Sequence, residues 1–167
     1  MTPRFIVDAM LGNLARNLRF FGYDTLYVGE LEKDRDALPD GDIYKLALET
    51  GRLVLTKDDQ FSLRDPARVV LVQGKTLREQ IACLKTKLGI EFSFEQANSR
   101  CSKCNEILLP IPKDRVRGRV KEGTYRTIDS FWECPKCAQL FWRGAHFRDK
   151  DGLLSKYDGL LDNDDTG

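Results

Sequence analysis

Two pairs of cysteines, Cys101-Ser-Lys-Cys104 and Cys134-Pro-Lys-Cys137, partition the chain before any helix or strand is assigned. Each C-x2-C pair presents two thiolates from one tight turn, and the two turns stand 29 residues apart. Four thiolates offered this way suit a tetrahedral Zn2+ held by Cys101, Cys104, Cys134 and Cys137. A four-cysteine set leaves no open position, so such a zinc is structural rather than catalytic. Redox-active pairs are the alternative, but in a cytosolic chain metal binding is the ordinary use of this pattern. The fifth cysteine, Cys83, falls on the apolar side of a helical repeat and reads as core packing. Residues of about 98–150 are therefore expected to form a small zinc ribbon, and about 1–90 a larger domain.

Composition narrows what that domain can do. Among 167 residues there is one histidine, His146. Chemistry built on two cooperating imidazoles is excluded, and so is a three-histidine metal site. Carboxylates and cysteines must carry the chemistry. No apolar run approaches the ~18–20 residues of a membrane span, and Asp8 interrupts the first hydrophobic stretch. A cytoplasmic protein with no membrane partner is expected. Charge is unevenly spread: residues 1–100 balance at 15 basic and 15 acidic, residues 101–150 carry 11 against 6, and residues 151–167 one against five. A basic module between a neutral body and an acidic tail hints at a nucleic-acid partner. The tail, 151–167, reads as disordered.

The body alternates strand and helix patterns. Arg4 to Asp8 is a short apolar run ending in an acid, as a buried parallel strand reads when its carboxyl end faces a cleft. Leu11, Leu14, Ala15, Leu18 and Phe21 recur at helical spacing, and Gly22 stops that helix. Asp24 to Val28 reads as a second strand, and 29–41 as an acidic loop in which Glu32 and Asp36 are solvated charges. Asp40 opens a helix to about Thr50, Arg52 to Thr56 is a third strand, and Val69 to Val72 a fourth. A helix from Thr76 to Leu88 closes the unit. This alternation predicts an α/β layered domain with a mostly parallel sheet, whose cleft lies outside the carboxyl ends of the strands.

Asp8 and Asp58 fall at those ends, with Asp40 and Asp42 at the start of the helix feeding the third strand. Carboxylates gathered within a few ångströms repel one another unless a cation lies between them, and an all-oxygen set suits Mg2+ or Mn2+. Such a metal can activate a water for attack at phosphorus, which requires no histidine. Aspartates also serve plainly as caps and turn formers, an equally ordinary use of these positions. Arg16 and Arg19, on the helix after Asp8, are candidates either for phosphate contact or for surface salt bridges.

The run Phe5-Ile-Val-Asp8-Ala-Met-Leu-Gly12-Asn-Leu-Ala-Arg16-Asn-Leu-Arg19-Phe-Phe-Gly22-Tyr-Asp24-Thr resembles the opening of the Mut7-C ribonuclease family. So does Leu46-Ala-Leu-Glu-Thr-Gly-Arg52-Leu-Val-Leu-Thr-Lys-Asp58, and the closing Trp142-Arg-Gly-Ala-His146 matches that family's pattern after its cysteine pairs. The resemblance implies a PIN-like nuclease domain fused to a zinc ribbon and RNA cleavage dependent on Mg2+ or Mn2+. It matches Asp8 and Asp58 to the family's acids after strands one and three, and its middle acid to Asp40 in preference to Asp42. Asp59 departs from the pattern, an arginine being more usual there; it or Asp42 could complete the acidic set.

Between the knuckles, Lys113, Arg115, Arg117, Arg119 and Lys121 occupy every second position. On a strand, period two would put all five on one face, a track for an RNA backbone beside Tyr125, Phe131 and Trp132 as stacking surfaces. A solvated ribbon strand is the alternative. His146 stands nine residues past the second knuckle, where it either packs against the ribbon or approaches RNA or the acidic cleft. Three functions thus stand open: a metal-dependent endoribonuclease, a non-catalytic RNA- or ribosome-binding module, and an adaptor for an unspecified protein partner.

Overall fold

In a computed structural model of the chain, residues 1–32, 36–93 and 98–142 are described. Four strands form one sheet: β1 (Phe5–Val7), β2 (Thr25–Tyr27), β3 (Leu53–Thr56) and β4 (Val69–Leu71). Their order is β2-β1-β3-β4 and every pairing is parallel. The central β1 is buried at all of its positions, as a strand covered on both faces must be. Alternation sorts the side chains: Phe5, Val7, Leu55 and Val70 pack with helices α1 (Gly12–Phe20) and α5 (Leu77–Leu88). Ile6, Val54 and Val69 face the other way, against α2 (Val28–Leu31), α3 (Asp40–Thr50) and α4 (Asp59–Arg64). The result is the expected layered α/β unit, with helices on both faces of a parallel sheet.

Its helices stop and start where local chemistry dictates. Thr76 and Glu79 form a reciprocal capping box at the start of α5. Gly51, at φ 62°, adopts the left-handed conformation that ends α3 and turns the chain straight into β3. Two elements go beyond the sequence pattern. Part of the expected acidic loop is α2, and just past it the Glu32 carboxylate accepts the Leu38 N–H at 2.7 Å. And β3 leads at once into α4, whose N-cap is Asp58.

The cysteine-bearing part folds as a small antiparallel sheet of β5 (Leu109–Ile111), β6 (Phe131–Glu133) and β7 (Leu140–Trp142), in that order. Val116, Ile128, Phe131 and Leu140 form its core. The expected strand over the basic stripe is absent. Lys113–Val116 is a 3-10 turn entered through Pro112, Gly118 reverses the chain at φ 77°, and Lys121 caps a short helix, α6 (Glu122–Thr127). Burial of Val116 inside the ribbon core, between two prolines and a glycine, outweighs the alternation. Among the described residues no helix is long and apolar enough to cross a membrane.

Candidate acidic site and cysteine centre

The chain leaves β1 for β2 through α1 on one face of the sheet, and reaches β3, on the other side of β1, through α3 on the opposite face. The carboxyl ends of β1 and β3 therefore flank the switch point of the topology, where open α/β sheets leave a crevice. Asp8 follows β1 and Asp58 follows β3 by two residues. Buried Thr56 joins them: its hydroxyl donates to Asp8 Oδ2 at 2.8 Å and accepts the Asp58 N–H at 3.0 Å. Asp58 Oδ1 accepts the Phe61 N–H at 3.0 Å, capping α4. Each acid is thus fixed through one oxygen, and its second oxygen has no partner among the described residues.

Asp40, the first residue of α3, lies within reach of their charges. Partial burial, and then the charges of Asp58 and Asp8, push its carboxyl above the ordinary range, while Arg64 pulls the other way. Three carboxylates from three elements share one field. Asp42 lies two residues on in the same helix, exposed as Asp40 is but turned away from it, because i and i+2 positions do not share a face. Asp59, the first residue of α4, instead borders a shallow groove with Lys57, Gln73, Lys75 and Glu79. Thr56 and Arg64 escape the sequence reading: one looks like an ordinary strand residue, the other like a surface cation.

The cysteines make the tighter cluster. Sγ atoms of Cys101, Cys104, Cys134 and Cys137 all lie within 4.8 Å of one another, the only such group among the described residues. Zn–S bonds of ~2.3 Å separate tetrahedral sulfurs by roughly 3.8 Å, and Cys101 and Cys137 stand 3.7 Å apart. No pair is bonded as a disulfide. Burial, then the neighbouring sulfurs, pushes Cys104 up to about 12, whereas the Gln139 N–H draws Cys137 down to about 7. A dication among the four sulfurs removes the repulsion that opposes their ionisation, so the donor set fits zinc. Cys83 is only half-buried, with its sulfur 3.4 Å from the Gln73 N–H.

Several expected RNA contacts are not available as such. Arg19 is 1% exposed: it forms a two-pronged pair with Glu30, and its Nε and Nη1 also donate to the carbonyls of Thr25 and Ser102. It lies on the same helical stripe as Leu11, Ala15 and Leu18, so it turns inward and cannot meet a strand of RNA. Arg16 remains exposed on α1. Of the five stripe cations, Lys113 pairs with Asp129 and Arg119 with Glu133, and Lys113 and Arg117 each lie 5.3 Å over the Tyr125 ring. Arg115 and Lys121 are exposed. Phe131 is buried and Trp132 packs beside the cysteines, so neither is an open stacking surface. His146 and the acidic tail lie outside the described residues.

The fold and these two centres define a class: a parallel α/β domain with acids at its switch point, joined to a four-cysteine ribbon. The family model of the Mut7-C RNAse domain matches residues 3–154, and the chain belongs to that family. No curated protein and no solved structure matches it. The chain carries a ribonuclease-type domain, and RNA is the substrate that this implies.

Proposed function

We propose that the protein is a PIN-like endoribonuclease that hydrolyses RNA phosphodiester bonds with a Mg2+ or Mn2+ held by Asp8, Asp58 and Asp40, and that its ribbon is built on a structural zinc. The observation that carries this reading is the pair Asp8 and Asp58 at the β1/β3 switch point, bridged by the Thr56 hydroxyl, with their charges reaching Asp40 at the start of α3. The donor chemistry suits a hard cation: it is all oxygen, and Asp8 and Asp58 each keep one oxygen without a partner among the described residues. The three carboxylates stand farther apart than the 4.8 Å that encloses the cysteine sulfurs, so an ion would have to draw them in. Such an ion supplies an activated water and charge neutralisation at the departing oxygen.

The chain's own residues supply position. Thr56 holds Asp8 in one rotamer and ties the Asp58 backbone to the end of β3. Phe61 N–H fixes the Asp58 carboxylate from the first turn of α4. Arg16 on α1 is exposed, and in this reading it, Arg115, Arg117 and Lys121 offer solvent-facing charge to the RNA backbone. A protein that binds RNA without cutting it would need these cations but not the three acids.

The test is cleavage of a labelled single-stranded RNA by zinc-loaded protein with Mn2+, with Mg2+ and with neither, beside Asp8→Asn and Asp58→Asn. Cleavage that requires the added ion and falls by at least roughly 100-fold in both variants is expected. Metal-independent cleavage, or equal activity in the variants, overturns the reading.

A further inference from the structure

We infer that Arg64 is a substrate-contact residue, binding a phosphate next to the scissile one on the α3 side of the acidic crevice. The inference rests on the ribonuclease reading and adds to it a residue that neither the sequence pattern nor the family match singles out.

The arginines near the sheet differ in how their donors are used. Arg19 and Arg52 commit theirs to carboxylates and carbonyls inside the fold. Arg64, at the end of α4, forms no ion pair or hydrogen bond with the described residues, yet it has a defined place. Its guanidinium lies 5.0 Å over the Tyr44 ring, and that ring is tethered by its hydroxyl to Asp65 at 2.9 Å. Nη1 stands 3.7 Å from the point where a Cβ on Gly41 would be, against the first turn of α3. A cation–π contact occupies the face of a guanidinium and none of its five N–H donors. A planar cation is thus presented with its whole hydrogen-bonding fork available, the arrangement that recognises phosphate in two-pronged fashion.

Location supplies the second half of the argument. Arg64 is close enough for its charge to act on Asp40, yet the two do not pair. Were neutralising Asp40 its role, a contact of about 4 Å or less would be expected. A polyanion entering a crevice lined by three carboxylates meets repulsion, and a braced cation at the rim offsets it. Lys45, one residue beyond Tyr44 on α3, is 74% exposed, pairs with Glu49 at 3.9 Å, and provides a control of equal charge.

The experiment measures binding of a labelled single-stranded RNA to zinc-loaded Asp58→Asn protein across a salt series without added Mg2+ or Mn2+. Asn caps a helix as well as Asp does, so α4 is retained. Adding Arg64→Ala should weaken binding roughly tenfold at low salt. It should also reduce the slope of log affinity against log salt by about 0.7, the share of one single-strand phosphate. Arg64→Lys should keep the slope and recover only part of the affinity, and Lys45→Ala should change neither. Unchanged binding in Arg64→Ala, or an equal loss in Lys45→Ala, overturns the inference. Should Arg64→Ala fail to fold, Arg64→Gln carries the same test. Cleavage by otherwise wild-type protein is scored separately. Absent cleavage with Arg64-dependent binding removes the nuclease reading and leaves Arg64 only as an RNA-phosphate contact, whereas active enzyme with Arg64-independent binding removes this inference alone.

Discussion

One hydroxyl ties the two acids of the crevice together, and it belongs to a residue with no charge of its own. Thr56→Val keeps the shape of the side chain and deletes both hydrogen bonds, leaving the Asp58 N–H without its acceptor and Asp8 free to turn. A stability loss of about 2 kcal/mol is expected in urea unfolding. A larger effect is expected on catalysis: kcat reduced roughly 100-fold with KM little changed, because misplacing a reacting group by an ångström costs that much. Thr56→Ser, which keeps the hydroxyl, should recover most of the rate, and a Val variant of normal kcat would remove Thr56 from the site. Single residues are legible only where sequence spacing decides the outcome. Asp8 can be read because an acid ending an apolar strand has no turn to serve. Arg19 stands four residues after Ala15 on the apolar stripe, a signal of burial, but its partner Glu30 belongs to a helix that no pattern announces. Arg64 gives no signal, because the ring that braces it is 20 residues earlier in the chain.

At the scale of elements, the four strands and the helices α1, α3 and α5 follow from short apolar runs, helical periodicity and glycine stops. The stripe from Lys113 to Lys121 does not: a two-residue period marks a strand only when the backbone is free to extend, and Pro112 and Gly118 bend it instead. What holds the strands in register at their amino ends is hidden as well. Arg52 is buried, and its Nη1 reaches Asp24 Oδ1 at 2.8 Å together with the carbonyls of Asp24 and Phe5, joining the starts of β1, β2 and β3. Burial alone would raise the Asp24 pKa, but hydrogen bonds from Arg52 and Asn105 and the charges of Arg52 and Arg100 outweigh it, and the net shift is downward. A carboxylate whose folded pKa lies below its unfolded value, ~3.9, stabilises the fold at higher pH. That contribution is complete above about pH 5 and lost as pH falls through the folded value. Thermal unfolding between about pH 6 and pH 3 should therefore show stability falling on the acid side in the wild type. Asp24→Asn should be less stable at pH 6 and lose less on acidification; parallel curves for the two proteins would deny Asp24 this role.

Taken as a whole, the molecule is held together by the first cysteine turn. Ser99 Oγ and Arg100 donate to the carbonyls of Phe20, Arg19 and Gly22 at and just beyond the end of α1, where carbonyls lack the i+4 N–H of a continuing helix. Asn105, at φ 64° directly after Cys104, accepts the Thr25 N–H at 3.0 Å and donates to Asp24 at 2.7 Å, closing the exposed edge of β2. The turn that would grip the zinc is also the one that caps α1 and covers the sheet edge, so metal removal should be felt well beyond the ribbon. Chelation is expected to speed hydrogen exchange at the Thr25 amide along with the ribbon amides. Asn105→Gly separates the two roles, because glycine keeps the left-handed turn needed beside Cys104 while losing both side-chain contacts. It should leave zinc affinity unchanged and cost about 2 kcal/mol, a fall in Tm of roughly 4–8 °C for a chain of this size. If chelation melts the ribbon while Thr25 stays as protected as before, the two parts fold independently. In that case the acidic crevice does not depend on the metal at the cysteines.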